Sequence, residues 1–106
     1  MPASEDQITV RRNDDENRYE VWVGEVLAGF TEFSADARGR FRYPHTEVDP
    51  AFRGRGLAQT VVAEAMTDSA RRGDTVVPLC PVVGRYLRET EVPGLSIEWP
   101  GQRASA

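Results

Sequence analysis

The run Arg53-Gly54-Arg55-Gly56-Leu57-Ala58 is where chemistry is most legible in this sequence. It lies where a β-prone segment gives way to a helical period, so its amides fall at a helix start. The first N–H groups of a helix have no intrahelical partners, and the helix dipole places partial positive charge there. Glycines let an anion approach the backbone without meeting a Cβ, while Arg53 and Arg55 add full charges and forked donors. These residue types fit a phosphate or pyrophosphate. A flexible turn built on a glycine pair is the plain alternative. Local charge favours the anion: residues 38–55 hold five arginines against two acids, a net of +3, in a chain of net charge −4. The run is not a dinucleotide fingerprint, because the third glycine of G-x-G-x-x-G would fall at Gln59.

Two further residues stand out by being alone of their type. His45 is the single histidine, and imidazole is the side chain that ordinarily titrates near neutrality, so it is the natural general base. Strand alternation would put it on one face with Phe41, Tyr43 and Glu47, so that His45 and Glu47 act together or through a water. The competing reading is a half-buried sheet histidine held by Glu47. Cys80 is the single cysteine, which excludes an intrachain disulfide and fits a reducing cytosol. One Cys and one His cannot supply the four ligands of a structural zinc site, so no metal is expected.

All 13 basic residues are arginine. Without lysine there is neither a Gly-Lys-Ser/Thr phosphate loop nor Schiff-base chemistry. The acidic balance argues against nucleic acid as a partner. Residues 1–6 are polar and lack the apolar run of a secretory signal, and the longest apolar stretch, 76–83, is short and broken by Pro78 and Pro81. A cytoplasmic protein without a membrane partner is expected. At 106 residues the chain reads as a single domain, with a core over about 7–99 and a flexible tail over 100–106.

The elements that must position these residues follow from the period of the apolar pattern. Residues 8–12, 18–23, 26–34 and 40–48 alternate and are separated by the turn-rich segments 13–17, 24–25 and 36–39, which predicts an antiparallel meander. Asp49-Pro50 ends the fourth strand. Leu57, Val61, Val62, Ala65 and Met66 then form one helical stripe, closed by Arg71, Arg72 and Gly73. A buried-type strand over 75–79, a short helix over 82–89 opened by Pro81, and an edge strand over 95–99 complete the chain.

The pattern from Val48 to Ala58, with its core Arg53-x-x-Gly56-x-Ala58, resembles the acetyl-CoA signature of the GNAT superfamily of N-acetyltransferases. With His45-Thr46-Glu47-Val48 and Val77-Pro78-Leu79-Cys80-Pro81, it resembles a subfamily of very small GNAT-like proteins over residues 18–92. The resemblance implies a minimal α+β GNAT-like fold: a mixed, mostly antiparallel sheet with one long and one short helix, lacking the first two GNAT helices. It implies acetyl-CoA as co-substrate. The amides of Arg53, Gly54, Arg55, Gly56, Leu57 and Ala58 would hold the coenzyme A pyrophosphate, and the strand end at Val48 would lie along the pantetheine arm. It implies acetyl transfer to an amine of a small molecule or protein, with Glu47 or His45 as base. Tyr86 matches the family's tyrosine that protonates the leaving thiolate; a phenol, ordinarily titrating near ~10, suits that task. Cys80 is then either an acyl-accepting nucleophile or a small buried residue.

The sequence also departs from the family. Residues 13–17 leave no room for two helices, the last strands are cut down, and Thr90-Glu91-Val92-Pro93 stands where the subfamily usually reads His-Pro-Glu-Tyr. The acceptor groove is therefore expected to be open, or completed by a second copy or another protein. A non-catalytic CoA- or acyl-CoA-binding module, acting as a sensor or assembly subunit, is the alternative function.

Overall fold

The computed structural model describes residues 7–101. The expectations placed on residues 1–6 and on the tail beyond 101 lie outside the described residues. Six strands form one sheet in sequence order: β1 (Ile8–Asn13), β2 (Arg18–Val23), β3 (Val26–Ala35), β4 (Phe41–Val48), β5 (Thr75–Pro78) and β6 (Ser96–Ile97). The first four pair antiparallel as the meander predicts. β5 and β6 each add in parallel after a crossover helix, α1 (Leu57–Arg72) and α2 (Pro81–Glu89). The sheet is therefore mixed and mostly antiparallel, with one long helix and one short helix. The β1–β2 connection is a tight turn over residues 14–17, which holds no helix. The last strand is shorter than the alternation predicted, Ser96–Ile97 in place of 95–99.

Right-handed crossovers that step the same way along a sheet place their helices on one face. α1 and α2 accordingly pack against each other on a single face. The predicted stripe of α1 is buried in full, with Ser69 joining Leu57, Val61, Val62, Ala65 and Met66. It meets Tyr19, Val21, Ala28, Phe33, Tyr43 and Val76 from the strands. Fully burying a side chain such as Leu57 or Val61 contributes about 1.5–3 kcal/mol, so this stripe is what fixes α1 across the sheet. The other face of the sheet carries no helix among the described residues.

The β3–β4 register corrects the sequence reading. Glu32 faces His45, but Ser34 faces Arg42, so Tyr43-Pro44 in β4 stand opposite the single residue Phe33. This is a β-bulge, and Pro44, which has no N–H to give the ladder, is a natural place for one. An extra residue inverts every side chain beyond it. Tyr43 points into the helix-covered core, 1% exposed, with its hydroxyl 3.2 Å from Ser69 Oγ. After the bulge Thr46 and Val48 take the core side, and His45 and Glu47 emerge on the bare face. They do not share a face with Phe41 and Tyr43, as uninterrupted alternation would have required.

The bare face is held by its own contacts. The Glu20 carboxylate, 5% exposed, accepts bonds from Arg18 Nε and Asn13 Nδ2, each at 2.9 Å, and from Trp22 Nε1 at 3.2 Å. The Arg11 guanidinium lies 4.9 Å from the Trp22 ring, and that of Arg18 lies 4.5 Å from Phe30. Burial raises the Glu20 pKa, but the three donors outweigh it and hold the carboxyl below its usual value. Asp68 is held low in the same way: burial works against ionisation, and bonds from the Tyr19 hydroxyl at 2.6 Å and from Arg71 prevail. Burial first, then the bond to Asp68, pushes Tyr19 up to about 12, while burial raises Tyr43 as well.

The signs of these shifts set a stability profile. Glu20 and Asp68 contribute stability that is present above the ordinary carboxylate values and lost as pH falls through their lower folded ones. Tyr19 and Tyr43 contribute stability that is present below 10 and lost as pH rises toward their raised values. Melting temperature should therefore be flat between about pH 5 and 10 and fall on both sides, with Glu20→Gln flattening the acid limb. An acid limb unchanged in that variant would contradict the assignment.

Candidate functional site

The site is built where β4 and β5 part. The two strands pair only at Phe41–Val76, Arg42–Val77 and Tyr43–Pro78. The Tyr43 carbonyl then accepts from the amides of both Leu79 and Cys80, at 3.1 and 2.9 Å. Beyond that point Pro81 opens α2 and the chain turns away, while β4 continues to Val48 with no partner on that side. Because the Asp49 amide donates to Ala28 on β3 at 2.8 Å, the alternation of a strand turns the Val48 amide toward the open edge. The sheet thus has a wedge-shaped gap connecting its two faces.

On the helix-covered face a cavity of about 370 Å³ lies between the start of α1 and the flank of α2. Gly56, Ala58, Gln59, Val82, Arg85, Tyr86 and Glu89 line it, and Arg85 Nε donates to Glu89 Oε2 at 3.2 Å. The approach to α1 is preset by a short 3-10 helix, Pro50–Phe52, capped by Asp49, whose Oδ1 accepts from the Ala51 amide at 2.8 Å. Arg53 N–H closes that turn onto Pro50. Among the described residues, Arg53 and Gly54 form a hydrogen-bonded turn, and the amides of Gly54, Gly56, Leu57, Ala58 and Gln59 reach no intrachain acceptor; intrachain bonding resumes at Thr60, whose amide reaches the Gly56 carbonyl at 3.0 Å. Gly54 and Gly56 have φ of +85° and +74°, and a Cβ at either would point into open space. These are conformations that an L side chain resists, and the space they keep clear is on the outside, where a ligand would come. Among the described residues no side chain caps α1 and no acid lies in its first turn. Arg53 and Arg55 are exposed, with the Arg55 guanidinium 5.3 Å from the Phe52 ring. Leu57 offers only its amide, since its side chain is 2% exposed in the core. The Val48 side chain is likewise packed against the core.

Cys80 caps α2 from the wedge side. It is 4% exposed, and its Sγ donates to Thr46 Oγ1 at 3.4 Å; Thr46 Oγ1 in turn lies 2.8 Å from Thr31 Oγ1. Tyr86, half-buried, stands two turns into α2 on the wall of the cavity. At the other mouth of the gap, on the bare face, His45 Nε2 lies 3.0 Å from Glu47 Oε1, with both side chains more than half exposed. His45 is therefore hydrogen-bonded to Glu47 with about half of its side chain exposed. The candidate residues form two groups separated by the sheet and joined by the gap: the Gly54–Gln59 amides with Tyr86 and Cys80 on one side, and His45 with Glu47 on the other.

Thr46, Gln59, Val82 and Arg85 were not singled out from the sequence. Only Pro44 in mid-strand signals the bulge that brings Thr46 inward. Gly29 is a further such residue. A Cβ there would meet the Glu47 carbonyl oxygen at 2.6 Å and Val48 Cα at 3.1 Å, and backbone atoms cannot yield as a side-chain tip can. Gly29→Ala should destabilise by about 1–3 kcal/mol and displace β4 at Glu47-Val48. Denaturant unfolding and amide exchange of β4 would register it, and wild-type values in both would contradict so close an approach.

No group of three or more His, Cys, Asp or Glu side chains that could hold a metal occurs among the described residues, and no helix there is long and apolar enough to cross a membrane. The model of one protein family, described as GCN5-related N-acetyl-transferase, matches residues 18–92, from β2 to just beyond α2. Comparison with curated proteins finds no match.

Proposed function

Because this chain belongs to the GCN5-related N-acetyltransferase family, whose members generally use acetyl-CoA as acyl donor, we propose that it transfers an acetyl group from acetyl-CoA to an amine. The observation that carries this reading is the helix-face cavity, where Gly56, Ala58 and Gln59 at the start of α1 meet Tyr86. The cavity fits the co-substrate's chemistry. Free amides at an uncapped helix start suit a pyrophosphate, with Arg53 and Arg55 adding charge at the rim. The open edge of β4, with the Val48 amide, suits an extended amide-bearing arm that pairs as an added strand. No residue of the site calls for a metal.

The division between the faces supports the following roles. The acceptor enters from the bare face, where Glu47, coupled to His45, takes a proton from the amine. The amine nitrogen bonds to the thioester carbonyl carbon in the gap. The carbon–sulfur bond breaks, and the departing thiolate receives the Tyr86 hydroxyl proton. Among the described residues no helix covers the bare face to wall an acceptor, so we propose that the groove works open or is completed by a second copy or another protein. The same openness favours, as second reading, a module that holds CoA or acyl-CoA without turnover. Thiol release from acetyl-CoA across a panel of amines decides between them: release above the amine-free rate is expected, and tight CoA binding without any release would establish the second reading.

A further inference from the structure

We propose that the Thr46 hydroxyl donates a hydrogen bond to the thioester carbonyl oxygen and holds it as it becomes an oxyanion; this rests on the acetyl-transfer reading above. Thr46, Thr31 and Cys80 meet where β4 and β5 part, and their protons can be counted. Thr46 stands opposite Thr31 on β3 and lies beyond Tyr43, the last residue of β4 that pairs with β5. Its hydroxyl has one proton to give and two lone pairs to fill. Cys80 Sγ, reaching across the gap, donates to Thr46 Oγ1 at 3.4 Å and occupies one lone pair. Thr31 Oγ1 lies 2.8 Å from Thr46 Oγ1, the one side-chain hydrogen bond that Thr31 makes among the described residues. Thr31 is fully buried, and a buried hydroxyl keeps its proton bonded because an unbonded one carries the whole desolvation penalty. Thr31 is therefore the donor, and the second lone pair of Thr46 is filled. The Thr46 proton has no acceptor left in this trio and points out of it.

The gap is the side left open. Thr31 and Cys80 are 0% and 4% exposed, while Thr46 is half-buried and opens the trio to the outside. β3 closes one flank of Thr46, and β5 has turned away from the other. When the amine nitrogen bonds to the carbonyl carbon, the carbonyl π pair moves onto oxygen, so negative charge grows in front of a fixed donor. The Thr46 proton stays on its own oxygen. The pair then returns to re-form the carbonyl as the carbon–sulfur bond breaks. A donor already locked by its neighbours needs no reorganisation in that step, which is what makes such donors effective. Thr31 and Cys80 are positioning residues, each filling a lone pair and so aiming the proton. The buried thiol thereby has a task that needs no covalent chemistry.

The test pairs steady-state kinetics with infrared difference spectra of bound acetyl-CoA, isotope-labelled at the thioester carbonyl. A hydrogen bond to that oxygen polarises the carbonyl and lowers its stretching frequency. Thr46→Val should lower kcat about thirtyfold, less than a lone oxyanion donor commands because backbone amides on the open edge of β4 also face the gap. The KM for acetyl-CoA should not change, and the bound carbonyl stretch should move to higher frequency. Thr46→Ser keeps the donor, so kcat should stay within about threefold and the stretch at its wild-type position. Because the single valine strands the Thr31 proton, Thr31→Val with Thr46→Val serves as the folding control: the apolar pair should melt near wild type and keep the full loss. Wild-type kcat or an unmoved stretch in the valine variants would overturn the proposal, while turnover by the wild-type protein leaves the acetyl-transfer reading intact. Acetyl-CoA binding without turnover in the wild type would remove both.

Discussion

Replacing Tyr86 with phenylalanine is expected to lower kcat by about a hundredfold or more, with CoA affinity within about twofold of wild type. The phenol ring lines the helix-face cavity and the variant keeps that ring, so packing and cofactor contacts survive. Only the proton for the departing thiolate is lost, which is a transition-state contribution and falls on kcat. The comparison with Cys80 makes the result specific. An acyl-accepting thiol must reach the thioester, yet Cys80 is 4% exposed and its Sγ is engaged with Thr46 Oγ1. Direct transfer therefore predicts that Cys80→Ala retains most of kcat and that mass spectrometry finds no acetyl adduct on Cys80 in a single turnover. An adduct, with a loss matching that of the tyrosine variant, would instead make Cys80 the relay.

Glu47→Gln is the second large effect, about a hundredfold in kcat/KM. The Glu47 carboxylate lies on the bare face 3.0 Å from His45 Nε2, so the two act as one unit. Groups that act together are non-additive. The double variant Glu47→Gln with His45→Ala should then cost little more than the larger single loss, where independent roles would multiply. Because both side chains are more than half exposed, neither change should move the melting temperature appreciably. A fully active Glu47→Gln enzyme would remove the base from the bare face.

The features legible in the sequence are those with a local cause. The α1 stripe from Leu57 to Met66, the stop at Gly73, the opening of α2 by Pro81 and the meander through the first four strands each follow from a period or a turn residue. The Gly54–Gly56 loop was legible as well, because an uncapped helix start is written in its residue types. The division of the site between two faces was not. It depends on one extra residue, at Tyr43-Pro44, that shifts a register set by a partner strand. Alternation alone carried His45 and Glu47 to the core side; the bulge carries them out and brings Thr46 in beside Cys80. Gly29 was silent for the same reason, since its importance comes from a carbonyl eighteen residues away in the sequence. The helix-face cavity involves Gln59 and Arg85, and no spacing rule names them.

Coenzyme A bound as proposed lies on the helix-covered face along Gly54–Gln59 and reaches the acceptor face through the gap between β4 and β5. Amide chemical-shift mapping on titration with CoA tests it most directly. Large shifts are expected at Gly54, Arg55, Gly56, Leu57, Ala58 and Gln59 and on the Val48 edge, with Thr9, Arg11 and Trp22 on the distant bare face unmoved. Saturable shifts confined to the bare face, or none at the α1 start, would contradict it.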